Sequence, residues 1–117
     1  MKKFIKFIIF IFIGLIVNIF QSLADEKIRI GLVVPLSGEY KEVGNSILKS
    51  VRLAINKIDD TSIEIVPRDS KSNPETTLRV SKELYKQGIK IIIGPVFNKN
   101  LIYLEELNEV TFLSLSN

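Results

Sequence analysis

The chain is expected to fold as an α/β domain, an open parallel sheet with helices on both faces, preceded by a signal peptide. Three observations point there. Short β-branched runs alternate with longer stretches of helical period after Asp25. The connections between them are short, so βαβ units are the economical reading. Ahead of them, Lys2, Lys3 and Lys6 precede an apolar stretch, Phe7–Phe20, and no acidic residue occurs before Asp25.

That leading segment has the three parts of a secretory signal. Met1–Lys6 is a cationic start, Phe7–Phe20 an apolar run of 14 residues interrupted by Asn18, and Gln21-Ser22-Leu23-Ala24 places small residues at −3 and −1. Cleavage is expected after Ala24. An uncleaved anchor is the competing reading, but a span needs roughly 20 apolar residues and this run is shorter. The membrane is therefore met only through the signal segment.

The elements then follow in order. Ile28–Val34 is a near-continuous apolar run ending at Pro35, which suits a strand covered on both faces. From about Val43 to Ile58, Ile47, Val51, Ala54-Ile55 and Ile58 recur at three- and four-residue intervals opposite Lys49, Arg52 and Lys57, predicting an amphipathic helix. Asp59–Ser62 is a turn. Ile63–Val66 alternates more openly and reads as a strand nearer an edge.

Ser72-Asn73-Pro74-Glu75 opens a second helix. Ser72 or Asn73 caps it, Pro74 occupies an early position that needs no N–H, and Glu75 suits the positive dipole end. Leu78, Ser81 and Leu84-Tyr85 mark its inner side, and Gly88 ends it. Ile89–Ile93 is the most strand-like run, closed by Gly94-Pro95. A third helix is expected from Asn98–Asn100 onward, using Leu101, Leu104 and Leu107, with Val110–Leu115 as the last strand.

Composition narrows the chemistry. All of the net +3 lies in the leading segment, because 13 basic residues face 13 acidic ones from Asp25 onward. The basic balance is thus an export feature, and no nucleic-acid partner is implied. The chain has no cysteine and no histidine. A Ser-His-Asp triad, a Cys nucleophile and His- or Cys-ligated zinc are excluded. Asp59-Asp60 and Glu105-Glu106 are adjacent acidic pairs without a third convergent ligand, so they read as surface charge. Neither a G-x-G-x-x-G turn nor a Walker loop is present, and no catalytic residue, metal or cofactor is assigned.

In a parallel sheet ligands bind beyond the carboxyl ends of the strands. That rule selects Pro35–Gly38, Arg68-Asp69, Gly94–Asn98 and Ser114–Asn117, which should line one rim of hydroxyls, amides and backbone N–H groups. Such a rim suits the carboxylate or amide groups of a small polar solute. Taken singly, Ser37 reads as a turn residue bonding nearby backbone, Asn98 as a cap and Asn117 as a chain end.

The runs I-R-I-G-L-V-V-P-L-S-G-E-Y, E-I-V-P-R-D-S-K-S-N-P-E-T-T and G-I-K-I-I-I-G-P resemble the start of type I periplasmic binding proteins of the leucine/isoleucine/valine class. The resemblance runs from Lys27 to Asn117. It implies a two-lobed periplasmic protein that closes on an amino acid or related small solute and presents it to an ABC permease. It also implies that Ser37, Gly38 and Tyr40 line the cleft, that Asn98 stands where a Ser commonly binds the ligand carboxylate, and that Ser116 and Asn117 add contacts. Family members run to several hundred residues, so residues 25–117 are expected to be an incomplete N-terminal lobe, 1–24 being the signal. Related proteins with similar patterns activate cell-wall synthases, the penicillin-binding proteins, and others form the sensing domain of receptors. These remain the alternative readings.

Overall fold

The computed structural model describes residues 1–21 and 26–116. The cleavage site expected at Ala24 and the ligand contact expected at Asn117 lie outside the described residues. Helix α1 (Lys2–Gln21) contains the apolar run. Its large side chains from Phe4 to Ile16 are exposed, so that part of the helix contributes nothing to a core. Among the described residues no helix is long and apolar enough to cross a membrane.

The remaining elements are β1 (Ile28–Val34), α2 (Lys41–Ile58), β2 (Ile63–Asp69), α3 (Pro74–Lys86), β3 (Ile91–Ile93), two 3-10 turns (Asn98–Leu101 and Leu104–Glu106) and β4 (Thr111–Leu113). The four strands form one parallel sheet in the order β2-β1-β3-β4. The expected fold class is therefore observed. Leu32, Val33 and Val34 are fully buried, as a central strand covered on both faces requires. Val33 and Ile92 join Val80, Leu84, Ile89 and Val110 in the core beneath α3. Gly31 belongs to that face too, since a Cβ there would meet the Leu84 side chain at 2.7 Å. Leu32 and Val34 point the other way, toward the side on which α2 packs.

Local signals explain the helix ends. Asn73 caps α3 by accepting the Thr76 N–H at 2.9 Å, Pro74 follows it, and Gly88 adopts φ +83 just past the C-cap. At the same end, the Arg29 guanidinium donates to the Gln87 carbonyl at 3.3 Å and side chain at 3.1 Å, complementing the dipole of α3. The inner stripe of α3 is Thr77, Val80, Ser81 and Leu84. Leu78, expected inside, is only half-buried.

Two expectations need correction. The third helix is a pair of 3-10 turns. Leu101, Leu104 and Leu107 recur strictly every third residue, the 3-10 period, and no apolar residue stands four places on from Leu101 or Leu104 to continue an α-helical stripe. The strands β3 and β4 are three residues each, shorter than Ile89–Ile93 and Val110–Leu115. Ile89 instead closes the α3 terminus, its N–H bonding the Leu84 carbonyl at 3.1 Å. In contrast β2 runs on through Pro67 to Asp69, which an edge strand tolerates.

Candidate functional site

Parallel pairing puts the carboxyl ends of all four strands at one edge of the sheet. Val34 lies opposite Asp69, Leu32 opposite Ile93, and Ile93 opposite Leu113. The segments expected to share a rim therefore do leave the sheet on the same side. Because β1 sits between β2 and β3, the chain moves one way after β1 and the other way after β2. The gap between β1 and β3 is the switch point at which open α/β sheets hold ligands.

Asp69 organises one half of the lip. It accepts the Leu36 N–H at 2.9 Å and the Lys71 N–H at 2.8 Å on one oxygen, and the Ser37 hydroxyl at 2.6 Å on the other. Partial burial works against its charge, yet these donors outweigh that and hold the carboxyl below its ordinary value. Ser37 thus bonds a side chain across the sheet, not nearby backbone as expected of it alone. Gly38 follows at φ +76 with open space around its α-carbon, so the chain can turn there and run into α2.

Tyr40 precedes α2 and provides no side-chain cap. Its ring meets that of Phe97, 4.7 Å between centroids at 61°, an edge-to-face pair. This contact joins the loop after β1 to the loop after β3, directly across the switch point. Lys99 adds its ammonium 5.9 Å from the Phe97 ring centroid. Asn98, between them, opens the first 3-10 turn and is exposed; Phe97, not Asn98, holds the cap position there.

The other half of the lip is tied by backbone. Gly94 donates to the Leu113 carbonyl at 2.9 Å, and Leu115 donates to the Pro95 carbonyl at 3.0 Å, drawing Ser114–Ser116 alongside the β3 loop. The Ser114 and Ser116 hydroxyls lie 2.7 Å apart. The structure thus couples Ser37 to Asp69, Tyr40 to Phe97, and Leu115, between the two serines, to Pro95. Phe97 and Lys99 were not singled out from sequence, although an aromatic residue directly ahead of the polar run Asn98-Lys99-Asn100 was a usable signal. Asn100 was missed as well. It is buried within the first 3-10 turn, and no polar signal marks it off from its exposed neighbour Asn98.

The acidic pairs serve local structure. Asp59 ends α2 in the left-handed region and Asp60 accepts the Ser62 N–H and hydroxyl, while Glu106 pairs with Lys82 at 2.9 Å. The largest cavity described, about 390 Å³, is lined by Glu75, Leu78, Arg79, Lys82 and Tyr103, none of them in the strand-end loops. Another, of about 370 Å³, abuts Asn98 and Lys99. The candidate site is accordingly an open lip, with polar groups supplied by the segments that follow all four strands.

Comparison with solved structures agrees with this fold. A solute-binding protein of an ABC transporter from Rhodopseudomonas palustris, in complex with 3,4-dihydroxybenzoic acid, aligns with 78% of the chain at 24% identity and a TM-score of 0.71. LivJ, the branched-chain amino acid transporter substrate-binding protein from Streptococcus pneumoniae in complex with isoleucine, aligns with 77% at 25% identity and 0.67. The C-domain of LpoA from Haemophilus influenzae, a regulator of PBP1A, aligns with 74% at 23% identity and 0.62. This chain covers only 27%, 29% and 27% of those three, about a quarter of each. Among curated protein sequences none matches significantly. The family model described as periplasmic binding protein matches residues 27–109, most of the folded part, so the chain belongs to the periplasmic binding protein family.

Proposed function

We propose that residues 25–117 supply the opening part of the N-terminal lobe of a periplasmic solute-binding protein, exported by a signal in residues 1–24 and cleaved after Ala24. Membership in the family implies a periplasmic or other extracytoplasmic location. The solute is an amino acid or a similar small polar molecule, handed to an ABC permease for uptake. The relatives' ligands named above, isoleucine and a dihydroxybenzoate, both join a carboxylate to an apolar body. Ser37, Gly38, Tyr40, Asn98, Ser116 and Asn117 line the cleft in this reading, and no residue is assigned catalysis.

The observation that carries it is the Tyr40–Phe97 contact across the β1–β3 switch point. A second lobe closing over that lip desolvates the solute, and hinge closure selects the bound state. The Asp69 hydrogen bonds keep the Leu36–Gly38 segment in place while this happens. Thermal denaturation of the two-lobed protein against amino acids and small carboxylates tests the proposal. A true ligand at a hundredfold excess over its dissociation constant adds about 2.7 kcal/mol.

The likeness to LpoA keeps one alternative, regulation of cell-wall synthesis through protein contact. Absence of any solute-dependent shift, together with co-purification of a penicillin-binding protein, would favour it.

A further inference from the structure

Resting on that reading, we propose that the lip takes a solute that combines an aromatic ring with a negative charge. Two independent features point to this class. The first is the aromatic pair itself. Tyr40 is 39% exposed although its ring packs edge-to-face on Phe97, so the pair presents ring surface outward at the switch point. A third ring extends such a pair favourably, in face or edge contact, where an aliphatic body gains only the burial.

The second feature is charge. The strand ends and the residues just after them carry Lys41, Arg68, Lys71 and Lys99 against Glu39, Glu42 and Asp69, a positive excess of one. Asp69 is already committed on both oxygens to Ser37, Leu36 and Lys71, which leaves it poorly placed to receive the ammonium of an amino acid. Lys99 lies against the same Phe97 ring. A carboxylate on a ring seated against the pair meets that ammonium, and an exposed cation–π contact is exchanged for an ion pair.

NMR titration of the isotope-labelled two-lobed protein decides the matter with four probes: benzoate, cyclohexanecarboxylate, benzylamine and leucine. Benzoate is expected to move the amides of Gly38–Tyr40 and Phe97–Lys99. It should bind roughly twofold to tenfold more tightly than cyclohexanecarboxylate, the gain of one aromatic contact, with benzylamine weakest. Phe97→Leu keeps an apolar side chain and should erase the preference for benzoate over cyclohexanecarboxylate. Lys99→Met should erase the preference for benzoate over benzylamine. Equal binding of the two ring carboxylates by the unaltered chain overturns the proposal, as does leucine moving those amides while benzoate does not; both leave solute capture standing. If none of the four probes moves any of these amides, the proposal falls, while capture of a different small solute is decided separately by the thermal screen of amino acids and carboxylates.

Discussion

Gly44 is the position at which one methyl group tests how α2 is seated. A Cβ built there lies 1.7 Å from the Pro35 carbonyl oxygen and 2.6 Å from its carbon, whereas real Cβ atoms essentially never come within 3.0 Å of another heavy atom. Both obstacles are backbone at the end of β1, so no rotamer change relieves them. In Gly44→Ala, α2 must retreat by more than an ångström. Helix propensity acts in the opposite direction, favouring alanine by about 0.8–1.0 kcal/mol. Overpacking costs typically about 1–3 kcal/mol, and a backbone obstacle belongs at the upper end of that range. The net expectation is a loss of about 2 kcal/mol in urea denaturation at unchanged m-value. Asn45→Ala, exposed one residue along the same helix, isolates propensity and should be neutral or slightly stabilising. The Gly44 N–H bonds the Tyr40 carbonyl at 3.2 Å, so the displacement should also disturb the Tyr40–Phe97 ring contact, visible in aromatic chemical shifts. A Gly44→Ala protein as stable as the parent would refute the close seating of α2 on Pro35.

Other perturbations probe the lip and the helix ends. Asp69→Ala leaves the Leu36 and Lys71 N–H groups without their acceptor and should cost about 1–3 kcal/mol, read by chemical denaturation. Because the Asp69 carboxyl titrates below its unfolded value of 3.8, its stabilisation is complete above that pH and is lost as pH falls through the lower folded value. Acid unfolding of Asp69→Asn should accordingly lack that contribution; identical acid profiles for the two proteins would contradict it. Asn73→Ala removes the α3 cap and should cost about 1 kcal/mol in thermal melts, whereas Asn73→Ser should restore most of it. Gly94→Ala combines φ +117 with a Cβ 2.2 Å from the Val33 carbonyl oxygen, and is expected to lose about 3 kcal/mol or more; a melting point matching the parent's would count against the fit of β3 to β1.

Much of this was legible locally. The Ser72-Asn73-Pro74-Glu75 start and the Gly88 stop of α3 rest on single-residue chemistry, and both ends stand as expected. The apolar run of β1 announced a strand buried on both faces, and the open alternation at Ile63–Val66 announced an edge. The segment after Asn98 was misread because leucines at every third position satisfy a loose helical template as well as a 3-10 one. Leu78 was misplaced because stripes one residue apart on α3 differ in apolarity by very little.

The choice of elements and their order followed from properties that neighbouring residues carry among themselves: period, caps, turn residues and the early charge. Pairing of Tyr40 with Phe97, and of Ser37 with Asp69, came from elsewhere. Ser37 reaches Asp69 because β2 pairs with β1, and Tyr40 reaches Phe97 because β3 lies beside β1 on the side away from β2. Nothing within a loop encodes that neighbour. Strand order goes with how α3 buries Val80 and Leu84 on one face of the sheet while α2 seats Gly44 against Pro35 on the other side, and the lip inherits its geometry from that packing.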